Sequence, residues 1–281
     1  MQVRHPAARE PRGVVMATPA TGALYGSTSL SWRFNSQAFV LMGGPRAAIL
    51  QVCDPAVAAG VVDYSTYRTD TFGRLERTME SMLTIAFGTE DKRIETLERL
   101  DRIHSAVKGK TVEGEGYSAM DEALQYWVLA TLTDTVIEVD RRYLGRMKRA
   151  DRVVYYEESK RIATAFGISD GHIPDDYDDF RTYFRDRIAT LEPTSQSREV
   201  AETLMHPNMR FVPGFAFAPL NLITLELLPT RMRRELRLRD LNPAELATVR
   251  GAQLSMRNAV APVASGRVPN PFNSRVFTDA A

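Results

Sequence analysis

One cysteine and four histidines are all that the 281 residues offer for thiol, disulfide or imidazole chemistry. A lone Cys53 forms no intrachain disulfide, which suits a reducing compartment. It also excludes multi-cysteine zinc and iron–sulfur centres. An excess of either charge is missing too: 36 Lys+Arg stand against 35 Asp+Glu, a net charge of +1. The basic surplus on which nucleic-acid or anionic-membrane binding draws is absent. No apolar run approaches the roughly 20 residues of a membrane span, and the first residues lack a secretory core. These absences predict a cytoplasmic protein with no nucleic-acid partner and no transmembrane segment.

What is present is ordinary globular composition, 44% hydrophobic and 25% charged, in a chain long enough to bury a substantial core. The first 25 residues, rich in Pro, Arg and small residues, read as an irregular arm. Residues 266–281 (GRVPNPFNSRVFTDAA) read as a similar tail. Residues 26–265 are expected to form one all-α domain, a single compact multi-helix body.

Helix signals recur through that span. Asp54-Pro55 supplies an N-cap and a first-turn proline for the short helix PAVAAGVV. Thr71 to Phe87 shows helical spacing through Leu75, Met79, Met82 and Leu83, and Gly88 ends it. Thr89 then caps a helix whose seam is Ile94, Leu97, Leu100, Ile103/His104 and Val107, closed by Lys108 and Gly109. A glycine-rich loop, Gly109 to Gly116, leads to a capping-box-like Ser118-Ala-Met-Asp121. The next helix turns Leu124, Trp127, Val128, Thr131, Leu132, Thr135 and Val136 inward. Further helices are expected over Asp151–Phe166, Asp178–Leu191, Thr194–Leu204 and Glu245–Val260. Met209–Phe217 has the best strand-like alternation, and Pro213-Gly214 makes it a loop.

Among residues able to carry chemistry, His104 stands out. It follows Leu97 by seven residues and Leu100 by four, and so shares their face. Such a histidine is either a hydrogen-bonded core residue or an axial ligand to haem iron, which needs a neutral imidazole on a rigid apolar face. Arg74 and Thr78 lie one turn apart and would place a cation and a hydroxyl beside a cofactor, or simply occupy a solvated face. Thr131 and Thr135 face inward, where bonding to the preceding turn's carbonyl is the bland role. Cys53 precedes a helix N-terminus without a nearby base, which argues against a nucleophile. His172 and His206 read as surface or capping residues. The Asp175–Asp179 run lacks the glycine and glutamate of a calcium loop and reads as a helix cap. Arg231 to Arg239 reads as a solvated amphipathic face.

The ordered segments Asp54-Pro-Ala-Val-Ala-Ala-Gly60, Tyr67-Arg-Thr-Asp-Thr-Phe-Gly-Arg-Leu-Glu-Arg-Thr78, Arg102-Ile-His-Ser-Ala-Val-Lys-Gly109, Tyr117-Ser-Ala-Met-Asp121 and Trp127-Val-Leu-Ala-Thr-Leu-Thr-Asp134 together resemble the oxygenase MpaB family. That family includes the catalytic domain of latex-clearing rubber oxygenases. The resemblance covers about Gly26 to Leu236. It implies an all-α fold binding haem b, with His104 as the iron's proximal ligand. It also implies Arg74 and Thr78 near the haem, and Thr131 at the position of the family's W-V-x-A-T-L threonine. Characterised relatives cleave isoprenoid double bonds with dioxygen. Two departures are visible: Cys53-Asp54-Pro55 stands where many relatives have Ala-His-Pro, and Leu129 where many have His.

Three functions follow as expectations. The first is a haem-dependent oxygenase or oxidase using dioxygen or peroxide on a lipophilic isoprenoid or natural-product substrate, with His104 on iron and Arg74, Thr78, Thr131 and Asp54 as candidate catalytic groups. The second is a haem-free tailoring enzyme whose acid/base groups are Asp54, Arg74 and His104. The third is a non-catalytic helical protein that binds a lipophilic ligand.

Overall fold

The computed structural model describes residues 22–207 and 214–260. His5, most of the N-terminal arm, the first part of the Met209–Phe217 segment and the C-terminal tail lie outside the described residues.

The described residues form twelve α-helices and one two-stranded hairpin, which makes the protein all-α. In chain order the helices are α1 (Leu30–Asn35), α2 (Gly44–Gln51), α3 (Pro55–Tyr64), α4 (Thr71–Phe87), α5 (Glu90–Ala106), α6 (Glu122–Val139), α7 (Arg149–Ala165), α8 (Tyr177–Thr190), α9 (Ser195–Met205), α10 (Ala218–Leu227), α11 (Thr230–Glu235) and α12 (Pro243–Ser255). The strands β1 (Lys108–Lys110) and β2 (Gly116–Ser118) pair antiparallel between α5 and α6.

The central element is α6. Twelve of its residues are buried, from Tyr126 and Trp127 through to Glu138 and Val139, so it has no solvated face and little amphipathic contrast. Helices α2 and α7 pack along it. Close approach by α2 depends on glycine: a Cβ at Gly43 would collide with Thr135 Cγ2 and lie 2.9 Å from Val139 Cγ2. Trp127 stacks on Phe184 of α8 at 5.5 Å, and Tyr156 of α7 stacks on Phe180 at 4.8 Å. These rings tie the three helices into one apolar core.

Asp134, Thr135 and Glu138, buried in α6, are paired with arginines. Asp134, 1% exposed, accepts from Arg46 Nη2 of α2 at 2.6 Å and from Arg181 of α8. Arg46 is itself 2% exposed, and it also donates to Thr135 Oγ1 at 2.6 Å and to the Leu227 carbonyl at 3.0 Å. The arrangement joins α2, α6 and the end of α10 through the buried Arg46–Asp134 pair, and α8 through the part-exposed Arg181.

Several local expectations change. Lys108 and Gly109 do not close α5. The helix ends at Ala106, and these residues enter β1, where Gly109 lies against the Tyr117 ring so closely that a Cβ would meet its Cε1 at 3.0 Å. The cap of α6 is Asp121, which accepts from the Ala123 and Leu124 N–H groups, rather than a box begun by Ser118. The basic run is not merely solvated. Arg231 donates to the Ile188 and Leu191 carbonyls, and Arg233 to those of Leu225 and Leu228. These guanidinium groups satisfy carbonyls at two helix ends. Asp176 caps α8 as expected of the acidic run. The packed chain also begins earlier than Gly26, since Ala23 and Tyr25 are buried. No single helix among the described residues is long and apolar enough to cross a membrane.

Candidate functional site

Helix α5 differs from the rest of the body. Only Thr96 of its 17 residues is buried, and its main packing partner is α4. Its Asp101, Leu97 and His104 face a cavity of about 390 Å3, completed by Gln125 of α6 and by Ala165, Phe166 and Gly167 at the end of α7. Glu98 and Arg102 also line it. The seven-residue spacing from Leu97 to His104 thus places both on one wall, as helical geometry requires.

His104 is half-buried, and among the described residues neither ring nitrogen has a hydrogen-bond partner. Burial pushes its pKa below the ordinary histidine value, and the nearby Asp101 charge opposes that only in part. The ring is therefore a neutral imidazole with a free lone pair at neutral pH. The other described histidines differ. His172 approaches Glu122 at 4.0 Å and His206 approaches Glu202 at 3.1 Å, and both are largely exposed.

Arg74 sits on α4, thirteen residues before its end at Phe87, while His104 lies fourteen residues after Glu90. The two helices are antiparallel neighbours, so both residues stand about 20 Å from the turn that joins them, at 1.5 Å per residue. Arg74 is half-buried, and its guanidinium has no ion pair or hydrogen bond among the described residues. Burial, then the charge of Arg77, lowers its pKa. Such a cation is electrostatically incomplete and suited to an anionic ligand group.

The remaining nominated residues are placed elsewhere. Thr78 is exposed and its hydroxyl donates to the Arg74 carbonyl at 3.0 Å. Thr131 is fully buried and donates to the Val128 carbonyl at 2.7 Å. Asp54 caps α3 through the Ala56 and Val57 N–H groups and pairs with Arg187. It borders a separate cavity of about 420 Å3 with Glu113, Glu115, Asp121 and Glu192. Cys53 is buried, its thiol pushed up to about 12 by burial first and by Asp54 second. No sequence signal marks Gln125 and Phe166, because only the tertiary approach of α6 and α7 brings them opposite α5.

The model of the family described as "ER-bound oxygenase mpaB/B'/Rubber oxygenase, catalytic domain" matches residues 32–261. Two curated relatives, "Uncharacterized protein Mb2261" of Mycobacterium bovis and "Uncharacterized protein Rv2237" of Mycobacterium tuberculosis, are each 26% identical over 175 residues. That alignment covers 61% of this chain and 66% of each relative. No solved structure matches. The helical body built around α6, with His104 and its cavity on one side, belongs to the mpaB/rubber oxygenase catalytic-domain family, an oxygenase-type fold.

Proposed function

We propose that this protein is a haem-dependent oxygenase or oxidase acting on a lipophilic, alkene-bearing substrate, with His104 as the ligand to iron. The observation that carries the reading is the half-buried, neutral, partnerless imidazole of His104 on the wall of a cavity in an oxygenase-family domain. The donor chemistry fits haem b, which takes a single neutral imidazole from many proteins and needs no cluster of further side-chain ligands. Arg74 complements it, since haem carries carboxylates and this guanidinium lacks an anion.

When bound, haem would supply the activation of dioxygen or peroxide that no side chain provides. The chain's own residues have narrower tasks. His104 offers a nitrogen lone pair, and its burial disfavours the protonated form that would block ligation. Leu97, Ala165 and Phe166 present the apolar part of a lining that also carries Glu98, Asp101 and Arg102, and a lipophilic group would rest against them. Arg74, on the neighbouring α4 and outside the residues that line this cavity, would hold a carboxylate. Thr131 and Asp54, whose polar atoms are already engaged within α6 and at α3, support the fold in this reading.

The test is spectroscopic. Purified protein titrated with haemin is expected to develop a Soret band that saturates at one haem per chain. His104→Ala should abolish it and His206→Ala should leave it intact. A stoichiometric band that survives His104→Ala overturns the assignment of the ligand, and no band in the wild type overturns the haem reading.

A further inference from the structure

The strand β2 has one paired edge and one open edge. Thr111 N–H donates to the Glu115 carbonyl at 2.8 Å and Ala119 N–H to the Val107 carbonyl at 2.9 Å, on either side of the opposed residues Lys110 with Gly116 and Lys108 with Ser118. Bonded and non-bonded pairs alternate along an antiparallel ladder. The bonded pairs are therefore Thr111 with Glu115, Gly109 with Tyr117 and Val107 with Ala119. The backbone groups of Gly116 and Ser118 accordingly point away from β1. On the β1 side, the outward Lys108 carbonyl accepts from the Tyr64 hydroxyl at 2.9 Å. On the β2 side, the Ser118 carbonyl accepts from the Asp121 N–H at 3.1 Å. The Gly116 N–H, the Gly116 carbonyl and the Ser118 N–H have no partner among the described residues.

This edge lines the second cavity, of about 420 Å3, through Gly116, Tyr117 and Ser118. Four carboxylates on the same lining, those of Glu113, Glu115, Asp121 and Glu192, have no ion pair among the described residues, and no Lys or Arg lines it. Only the Asp54 carboxylate is met, by Arg187. Thr111, also on the lining, keeps a buried hydroxyl oxygen without a partner among the described residues. Leu124 lines this cavity and Gln125 that of His104, so the first turn of α6 stands between the two. We propose that β2 is a docking edge for an extended, Lys- or Arg-bearing segment of a partner protein, added as a third strand. The edge offers two N–H donors and one carbonyl to the main chain of that segment. Its alternate side chains, which share one face, carry positive charge to the carboxylates. A metal ion is a poorer occupant, since among the described residues no three His, Cys, Asp or Glu stand close enough to hold one. The docking edge requires neither haem nor His104.

The experiment follows fluorescence anisotropy of a labelled probe peptide, alternating threonine and lysine, added to the full-length protein. Saturable binding of one peptide per chain, weakening as salt rises, is expected. Gly116→Pro removes an outward N–H at a position where a Cβ would meet nothing within 4 Å, and proline is tolerated on strand edges. It should weaken binding about fivefold or more. Glu113→Gln with Glu115→Gln, both exposed and unpaired in the described residues, leaves the edge intact and should weaken binding by a similar factor of about five. The same peptide with glutamate for lysine, and one N-methylated at alternate backbone nitrogens, should both fail to bind. No binding of the lysine peptide overturns the proposal, as does binding that neither variant weakens. Equal binding of the N-methylated peptide overturns strand addition, and spermine binding as tightly as the peptide would make this a small-cation site instead. The haem reading is unaffected by any of these results, because the Soret titration decides it separately.

Discussion

Replacing Asp134 by alanine strands a buried cation, and the cost can be worked from its surroundings. Arg46 is 2% exposed and loses its hydrogen-bonded carboxylate, at 2.6 Å, while keeping bonds to Thr135 and to the Leu227 carbonyl and the weaker attraction of the Glu138 charge. Breaking a buried pair by removing one partner costs about 3–5 kcal/mol, mainly because the remaining charge is uncompensated. The two retained acceptors argue for the lower end of that range. Arg181 adds little, since it is 40% exposed and water can replace the carboxylate. For a protein of this size, where about 1 kcal/mol shifts Tm by roughly 2–4 °C, the expected fall is on the order of 6–12 °C. Urea unfolding followed by circular dichroism supplies the free-energy difference. The double variant Arg46→Met with Asp134→Leu should recover much of the loss, because it removes both charges and keeps the volume. A loss below about 1 kcal/mol for Asp134→Ala, or a double variant worse than the single one, would refute the claim that desolvation of Arg46 dominates.

Three further outcomes follow from the same contacts. Gly43→Ala should destabilise by about 1–3 kcal/mol through overpacking against Thr135 and Val139, and a change under about 0.5 kcal/mol in urea unfolding would contradict that close approach. Cys53, with its thiol pushed up to about 12, should resist thiol reagents at pH 8 in the folded protein and react fully in denaturant; rapid labelling of the folded protein would oppose its burial. Glu138 is held below the usual carboxylate range: burial pushes it up, but the Arg141 hydrogen bond and the charges of Arg141, Arg46 and Arg142 outweigh that. Its pKa is lower folded than unfolded, so its stabilisation is complete above the unfolded value of about 4.3 and vanishes as pH falls through the folded one. The stability gap between wild type and Glu138→Gln should therefore shrink in acid, and a gap that widens would reverse the sign.

Periodicity read well where a helix had one wet face and poorly where it had none. The Leu97–His104 spacing located one wall of the cavity because α5 is solvated on its other sides. In α6 the helical spacing does not mark Tyr126, Ala130 and Asp134 as inward, since a helix surrounded by protein has no polar face to define the other. Short α1 and α11, each six residues, offer less than two full turns of pattern, too little for periodicity to mark them. The hairpin was hidden because three-residue strands rich in glycine and lysine lack alternation. Arg74 and Thr78, paired by the i,i+4 rule, separate in exposure because four residues advance about 40° beyond a full turn. That rotation carries Thr78 to the solvent edge while Arg74 stays half-buried. Gln125 and Phe166 come from other helices, and no local spacing announces a tertiary meeting.

The central claim is that His104 binds haem iron, and the most direct measurement is the resonance Raman spectrum of the ferrous haem-loaded protein. An iron–histidine stretching band in the wild type that disappears in His104→Gly, and returns as an iron–imidazole band when free imidazole is supplied, is the predicted result. An unchanged iron–histidine band in His104→Gly would place the ligand elsewhere and contradict the account.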